Sequence, residues 1–364
     1  AFLLNMANKY EIVKKDILEK ILSGEYDKNQ QLPTESEMMT AFSVSRYTVR
    51  RAISDLENEK YVYRVQGGGS FVADWSAAKK YEEIPKVIGI LSTHVASYIF
   101  PAIIDGADQV LSENGFSLIL ANTHNDPKRE RTALTNLMSQ NLGGLIIEPT
   151  QSAIDTPNID LYQKIAQLNI PMVFINASYN NFEGTTLVSD DKNAIYQVTE
   201  YLIKRGHKRI TGVFQVSDVQ GIHRLNGFLQ SYQNHPNILP ESSSIMYKSD
   251  EVNEALQNMR ELLVKNPDQR PTAVIAYNDQ LAIRIVDLIH EVGLKVPQDI
   301  SVIGFDDFQL SQYLSPRLTT VSHAKEKMGQ DAARLLLQKI KHHKVESIVY
   351  HSQLIERESV SDIS

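Results

Sequence analysis

Leu32-Pro33-Thr34-Glu35-Ser36-Glu37, Ser43-Val44-Ser45-Arg46-Tyr47-Thr48-Val49-Arg50-Arg51-Ala52-Ile53-Ser54-Asp55-Leu56 and Val65-Gln66-Gly67-Gly68-Gly69-Ser70-Phe71-Val72 follow one another near the amino end. Together they predict two helices and a hairpin. Thr34 ahead of Glu35 and Glu37 reads as an N-cap with acids in the first turn, where unpaired N–H groups and the helix dipole favour negative charge. Met38, Met39 and Phe42 supply the buried side. Ser43 and Val44 make a tight turn, and Ser45 caps the second helix. At about 100° per residue, Val49, Ala52, Ile53 and Leu56 share one face, with Tyr47, Arg50, Arg51 and Ser54 opposite. Tyr61 to Val65 and Ser70 to Ala73 are strand-like and joined by three glycines, whose backbone tolerates positive φ and can approach a phosphate or enter a minor groove. The expected unit is a winged helix-turn-helix. A solvated face is the bland reading of Arg46, Arg50 and Arg51, and the succession of short helix, turn, basic helix and hairpin weighs against it.

Pro33-Thr34-Glu35-Ser36-Glu37, Ser45-Arg46-Tyr47-Thr48-Val49-Arg50 and Gln66-Gly67-Gly68-Gly69-Ser70-Phe71-Val72 resemble the DNA-binding head of GntR-type bacterial regulators, in order and in spacing. The resemblance implies that the second helix enters the major groove by its N-terminal half. Ser45, Arg46, Tyr47, Thr48 and Arg50 then inherit base and phosphate contacts, with Lys9 ahead of them and Gln66, Gly67, Gly68 and Gly69 at the wing. Arg50 is the first choice for bidentate guanine readout, worth about 1–3 kcal/mol of discrimination.

A chain of 364 residues is too long for one winged helix and expects two or three domains. The net charge of −7 sits badly with a DNA binder until it is divided. Residues 1–74 hold ten Lys or Arg against eleven Asp or Glu, leaving 27 against 33 for the rest. Attraction to DNA must therefore come from a clustered face rather than from net charge. There is no cysteine, hence neither a disulfide nor a thiolate metal site, which fits a cytoplasmic protein. No apolar run approaches the roughly 20 residues a membrane helix needs, and Phe2-Leu3-Leu4 is too short for a signal-peptide core. Because the chain starts at Ala1, residues 1–5 read as an expression or processing scar outside the fold.

Helical periodicity over Lys9 to Ser23, ended by Gly24, predicts the first helix of a head spanning 6–73. Residues 74–85 are polar, end in proline and read as a linker; they contain Trp75, the only tryptophan and a natural fluorescent probe of linker rearrangement. From Lys86 the texture alternates. Strands are expected at Val87 to Leu91, Ser117 to Ala121, Gly144 to Ile147, Pro171 to Ile175, Arg209 to Phe214, Ala273 to Ala276 and Ser301 to Phe305. Helices are expected at Ile99 to Glu113, Pro127 to Gln140, Leu161 to Leu168, Asn193 to Arg205, Ile222 to Tyr232, Glu251 to Leu263, Gln280 to Val292 and Lys325 to Ile340. Short buried strands separated by helices mean α/β architecture with parallel sheets and right-handed crossovers, whose ligands bind beyond the strands' carboxyl ends.

Polar residues gather at those ends: Ser92, Thr93 and His94 after Leu91, Glu148 after Ile147, Asn176 after Ile175, Asn278 and Asp279 after Tyr277, and Asp306 and Asp307 after Phe305. Carboxylates, amides and an arginine around one cleft suit a neutral polyol, whose hydroxyls both donate and accept. Helix capping competes as an explanation for each residue singly, Asn278 and Asp279 above all.

This segment, 86–358, resembles the sensor domain of LacI-type repressors, a cousin of periplasmic sugar-binding proteins, in two lobes. The likeness rests on Gly143-Gly144-Leu145-Ile146-Ile147, Arg205-Gly206-His207-Lys208-Arg209-Ile210, Arg224-Leu225-Asn226-Gly227-Phe228, Pro297-Gln298-Asp299-Ile300-Ser301-Val302-Ile303-Gly304-Phe305-Asp306 and Leu318-Thr319-Thr320-Val321. By matching position Glu148, Asn176, Arg224, Asn278, Asp306 and His323 inherit effector contacts, Tyr247 is a stacking aromatic, and Tyr98 and Phe100 line the mouth. A GntR-type head on a LacI-type sensor is similar to the AraR-type arabinose repressors of Gram-positive bacteria. That likeness implies a homodimer on a near-palindromic operator, released by L-arabinose, with no cofactor, metal or membrane partner. The residues alone stop at a small neutral polyol and leave the sign of the response open, corepressor included. A sugar-binding receptor with no DNA role would leave the head without purpose. An enzyme finds no support: the ten histidines contain no His-x-x-x-His pair, and there is no Gly-x-Ser-x-Gly elbow or phosphate loop.

Overall fold

The structure, a computed structural model, describes residues 2–74, 85–238 and 241–364. Trp75 and most of the expected linker lie outside the described residues. Two compact units are present, Ala1–Ile84 and Pro85–Ser364.

In the first unit α1 runs Phe2–Ser23, so the helix extends amino-terminally past Lys9 through residues left out of the expected fold. That stretch holds no proline or glycine, and nothing in it stops a helix. α2 (Glu35–Phe42) begins with a reciprocal capping box: the Thr34 hydroxyl accepts from Glu37 N–H, and the Glu37 carboxylate accepts from Thr34 N–H at 2.7 Å. These bonds hold the Glu37 carboxyl below its usual range. Ser43, at φ 51°, turns the chain, and Ser45 caps α3 (Arg46–Asn58). Val49, Ala52, Ile53 and Leu56 pack against Val13, Ile17 and Ile21 of α1 and against Met38, Val62 and Val72. β1 (Val62–Val65) and β2 (Gly69–Val72) pair antiparallel to form the wing, and Val65 faces Gly69 across it. Gly67 and Gly69 take φ of 77° and 99°, which a side chain would strain.

The second unit holds two parallel sheets. β3 (Val87–Ser92), β4 (Ser117–Asn122), β5 (Gly144–Ile147), β6 (Met172–Ile175), β7 (Thr185–Ser189) and the late β13 (Ile348–Tyr350) form one, in the order β13-β7-β6-β5-β3-β4. β8 (Ile210–Gln215), β9 (Ser243–Tyr247), β10 (Ala273–Ala276) and β11 (Ser301–Ile303) form the other, in the order β11-β10-β8-β9. Strand order reverses between β3 and β5 in the first lobe and between β8 and β10 in the second. Such switch points open a crevice at the carboxyl ends. α4 (Phe100–Glu113), α5 (Pro127–Met138), α6 (Ile159–Gln167) and α11 (Lys325–Ile340) cover the first sheet. α7 (Asp191–Lys204), α8 (Val219–Asn234), α9 (Val252–Leu263) and α10 (Asp279–Glu291) cover the second. The chain crosses between lobes after β7, between β12 (Thr320–Val321) and α11, and between β13 and β14 (Leu354–Ile355). α4 and α11 touch backbone to backbone at Gly106 and Gly329; a Cβ on Gly329 would lie 1.9 Å from the Ile103 carbonyl.

β7 and β9 were not expected. Thr-Thr-Leu-Val-Ser and Ser-Ser-Ile-Met-Tyr are mostly polar, and β9 is an edge strand with Met246 more than half exposed, so neither reads as a buried run.

Candidate functional site

On the head, the N-terminal half of α3 presents Arg46, Tyr47 and Arg50 to solvent. Arg50 Nε donates to both Glu35 oxygens at 2.9 and 3.0 Å, and Arg46 Nε lies 3.4 Å from the same carboxylate. The α2 acid thus gathers two arginines that α3 alone would leave to wander. Arg51 stacks on the Tyr10 ring at 4.1 Å. Gln66 and Gly67 are exposed at the wing tip, Gly68 and Gly69 follow, and Lys9 is exposed on α1. Thr48 is placed differently from the other expected contacts. It is 4% exposed, with its hydroxyl 2.9 Å from that of the cap Ser45, and so belongs to the helix start rather than to the open face. Two shaping residues carried no signal in their local pattern. Gln31 donates to Gly68 O at 2.7 Å beneath the wing, and Arg64 reaches from β1 to Arg50 O, Ser54 and Glu57.

In the second unit the switch points face each other across a cavity of about 130 Å³. Tyr98, Phe100, Glu148, Asn176, Arg224, Asn278, Asp306 and His323 all line it. Tyr247 does not: it is buried at the end of β9 and borders a neighbouring recess. Asn125, Ser189, Asp191, Asp218, Gln220 and Tyr277, unnoticed in the sequence, line the cavity as well. They sit on loops and helix starts whose chemistry looks generic until the fold converges them.

Glu148 is buried, and both oxygens are held: one by Ser92, by Thr93 N–H at 2.9 Å and by the Thr93 hydroxyl at 2.7 Å, the other by the Asn176 amide at 3.0 Å. Burial raises its pKa, while these donors favour the carboxylate. Since Asn176 spends its NH2 on Glu148, its carbonyl oxygen must be what meets His323 Nε2 at 2.9 Å. His323 therefore carries its proton on Nε2. Burial holds its pKa down to about 4, so the ring is neutral and Nδ1 is a bare acceptor with no partner among the described residues. Ser189 Oγ, Asp218 Oδ1 and Gln220 Oε1 share that state, and all four residues line the cavity. Buried polar atoms are seldom left so, and their concentration at one place marks a ligand site.

Arg224, also buried, donates to Asp191 at 2.9 Å and to Tyr277 O at 2.5 Å, stands 3.7 Å from Asp306, and lies 3.6 Å over the Phe305 ring. The two carboxylates hold its pKa up despite burial. Tyr98 reaches from the first lobe to donate to Asp306 Oδ2 of the second at 2.6 Å. Tyr98, Asn125, Asn176 and Asp306, all on the cavity wall, adopt positive φ; backbone strain collects at this place. The capping reading of Asn278 also holds, since its side chain accepts from Leu281 N–H at 2.9 Å while its amide nitrogen remains for the cavity. Asp279 and Asp307 do not line it. Asp279 is bonded by Phe308 N–H, Ser311 and Thr320 within the second lobe, and burial pushes it up to about 7. Among the described residues no group of three His, Asp or Glu could hold a metal, and no helix is long and apolar enough to cross a membrane.

Residues 9–72 match the gntR family of bacterial regulatory proteins, and residues 199–360 a periplasmic binding protein-like domain. The arabinose metabolism transcriptional repressor of Geobacillus stearothermophilus is 40% identical over 98% of both chains. That of Halalkalibacterium halodurans is 37% identical, again over 98% of each. The lac repressor dimer bound to operator and an anti-inducer shares the fold, with a TM-score of 0.66 at 24% identity over 80% of this chain and 99% of that one. With a gntR-type reading head, a two-lobed cavity and this likeness along its whole length, the chain belongs to the family of arabinose metabolism transcriptional repressors, which are regulators and not enzymes.

Proposed function

We propose that the chain is a sugar-responsive repressor whose head, residues 6–73, binds a near-palindromic operator as a homodimer. L-arabinose, taken into the cavity of residues 86–358, then releases it. The bare acceptors lining a buried cavity carry this reading: Ser189 and His323 with Asp218 and Gln220 need donors from a ligand, and a pentose supplies them. A cavity of about 130 Å³ is of the size that takes a single small ring, since one of about 150 Å³ takes up benzene. The names of the Geobacillus and Halalkalibacterium relatives favour arabinose among pentoses.

In this reading Arg50 reads a base bidentately, with Arg46, Tyr47, Ser45 and Lys9 on adjoining bases and phosphates and the Gln66–Gly69 tip in the neighbouring groove. Thr48 fixes the helix start behind them. The sugar bridges Glu148, Asn176 and Ser189 of the first lobe to Asp218, Arg224 and Asp306 of the second, so it favours one lobe arrangement over others. It can bias operator affinity only through that difference; a swing from 1:99 to 99:1 needs about 5.5 kcal/mol. Two heads on one two-fold axis account for a palindromic target. A protein held on operator DNA works in the cytoplasm. A gel shift with operator DNA tests the whole reading. The band is retarded without sugar and freed by L-arabinose; retardation that strengthens with arabinose reverses the sign, and none in either case removes the DNA role.

A further inference from the structure

The charge around the cavity goes beyond what a neutral sugar requires. Glu148, Asp191, Asp218 and Asp306 line it against a single arginine, Arg224. That arginine is already engaged by Asp191, Tyr277 O and Asp306. The imidazoles of His94 and His323 are kept neutral by burial, and Lys325, behind the wall, spends its ammonium on the Asp306 and Asp307 carbonyls. The donors left over include neutral amides, such as that of Asn278. The unfilled bonding capacity is of the opposite kind: the buried Ser189 Oγ, Asp218 Oδ1 and His323 Nδ1, with Gln220 Oε1, have no hydrogen-bond partner among the described residues, and three of these atoms can only accept.

A low-dielectric cavity with an excess of fixed negative charge and a surplus of acceptors focuses a field that favours cations and repels anions. We propose that this cavity accepts small polyols bearing a positive charge at least as well as neutral ones, and excludes their acidic counterparts. Asp218 is the residue that sets the preference. Its Oδ2 accepts from Gln215 and, at 3.5 Å, from the Tyr277 hydroxyl, the Asn125 amide stands beside the carboxylate, and its Oδ1 has no hydrogen-bond partner at the wall among the described residues. An ammonium there would satisfy a bare carboxylate oxygen with a charge-assisted bond. A carboxylate would meet acceptors with no free cation among the described lining residues to receive it.

This rests on the sugar-site reading, and the experiment separates the two. Calorimetric titration of the full-length protein at pH 7 compares three ligands: L-arabinose, the piperidine iminosugar analogue of L-arabinopyranose with a protonated ring nitrogen, and L-arabinonate. The iminosugar should bind at least as tightly as arabinose, and the acid about 100-fold more weakly or not at all. Asp218→Asn, which keeps the shape, should lower the iminosugar-to-arabinose affinity ratio about tenfold. Arabinonate binding on a par with arabinose overturns the inference, as does failure of the iminosugar to match arabinose or an unchanged ratio in Asp218→Asn. Loss of arabinose binding alone, with the iminosugar still bound, sinks the sugar reading and leaves the charge preference standing.

Discussion

In the proposed reading Arg50 meets two partners in turn. Without DNA its Nε–H is shared between the two Glu35 oxygens, yet its side chain is mostly exposed, so the pair contributes little to stability. Its use is orientation. Arg50→Ala should therefore weaken operator binding by about five- to 150-fold, from the about 1–3 kcal/mol of a bidentate base contact, while calorimetric sugar affinity stays within error. Equal loss of both would mean that head and sensor were wrongly divided. Asp306 is different because it is buried and serves Tyr98 and Arg224 together. Asp306→Ala leaves Arg224 with Asp191 as its one carboxylate partner and cuts the Tyr98 bond between lobes. Operator binding in that variant should no longer respond to arabinose in a gel shift; normal release would take Asp306 out of the site. Asp218 gives the site a pH signature. Burial raises its carboxyl to about 6, against hydrogen bonds from Gln215, Asn125 and Tyr277 and the charge of Arg224, with Tyr247 close by. A sugar hydroxyl donating to Asp218 favours the ionised form, so binding depresses that pKa. The contribution is then full above pH 6 and is lost as pH falls through 6, whereas His323 keeps its bare nitrogen down to about pH 4. Calorimetry from pH 7.5 to 5 should show arabinose affinity falling, and the fall should flatten in Asp218→Asn.

Helices announced themselves more reliably than strands, for a physical reason. α3 and α11 stand where the spacing of Val49, Ala52, Ile53 and Leu56, and the run from Lys325 to Ile340, placed them. An amphipathic period repeats over many residues, and Ser45 adds its own cap. β7 and β9 are strands because a neighbouring strand completes their hydrogen bonds, and nothing inside Thr185–Ser189 or Ser243–Tyr247 states that neighbour. Two changes probe elements rather than residues. Ser45→Ala removes the acceptor for Thr48 N–H and the partner of its hydroxyl, and should lower the stability of the head by about 1 kcal/mol in a denaturant melt. An unchanged midpoint would show the cap to be dispensable. Gly329→Ala forces α4 and α11 apart at a contact that has no room, and should destabilise the sensor unit by about 1–3 kcal/mol or more. A midpoint at or above that of the parent would mean that the helices can part without loss.

For the molecule as a whole, net charge is the wrong guide to DNA affinity, since most of the −7 lies beyond residue 74. Affinity must come from the few cations clustered by α3 and Glu35, and Lys9→Ala should lower the slope of log affinity against log salt by about 1. What the sequence by itself determined was the pair of units, the winged helix-turn-helix, the parallel α/β texture and the part of the cavity wall that sits at strand ends, Thr93, Glu148, Asn176, Asn278 and Asp306 among it. Those follow from local periodicity, caps and polar residues placed directly after buried strands. Only the tertiary structure decided that Thr48 belongs to a cap, that Tyr247 stands off the cavity, and that Asp191, Asp218 and Ser189 join Arg224 and His323 around it. Residues up to 208 positions apart, as Tyr98 and Asp306 are, become partners through the crossing of the chain between lobes, and no local pattern encodes that meeting.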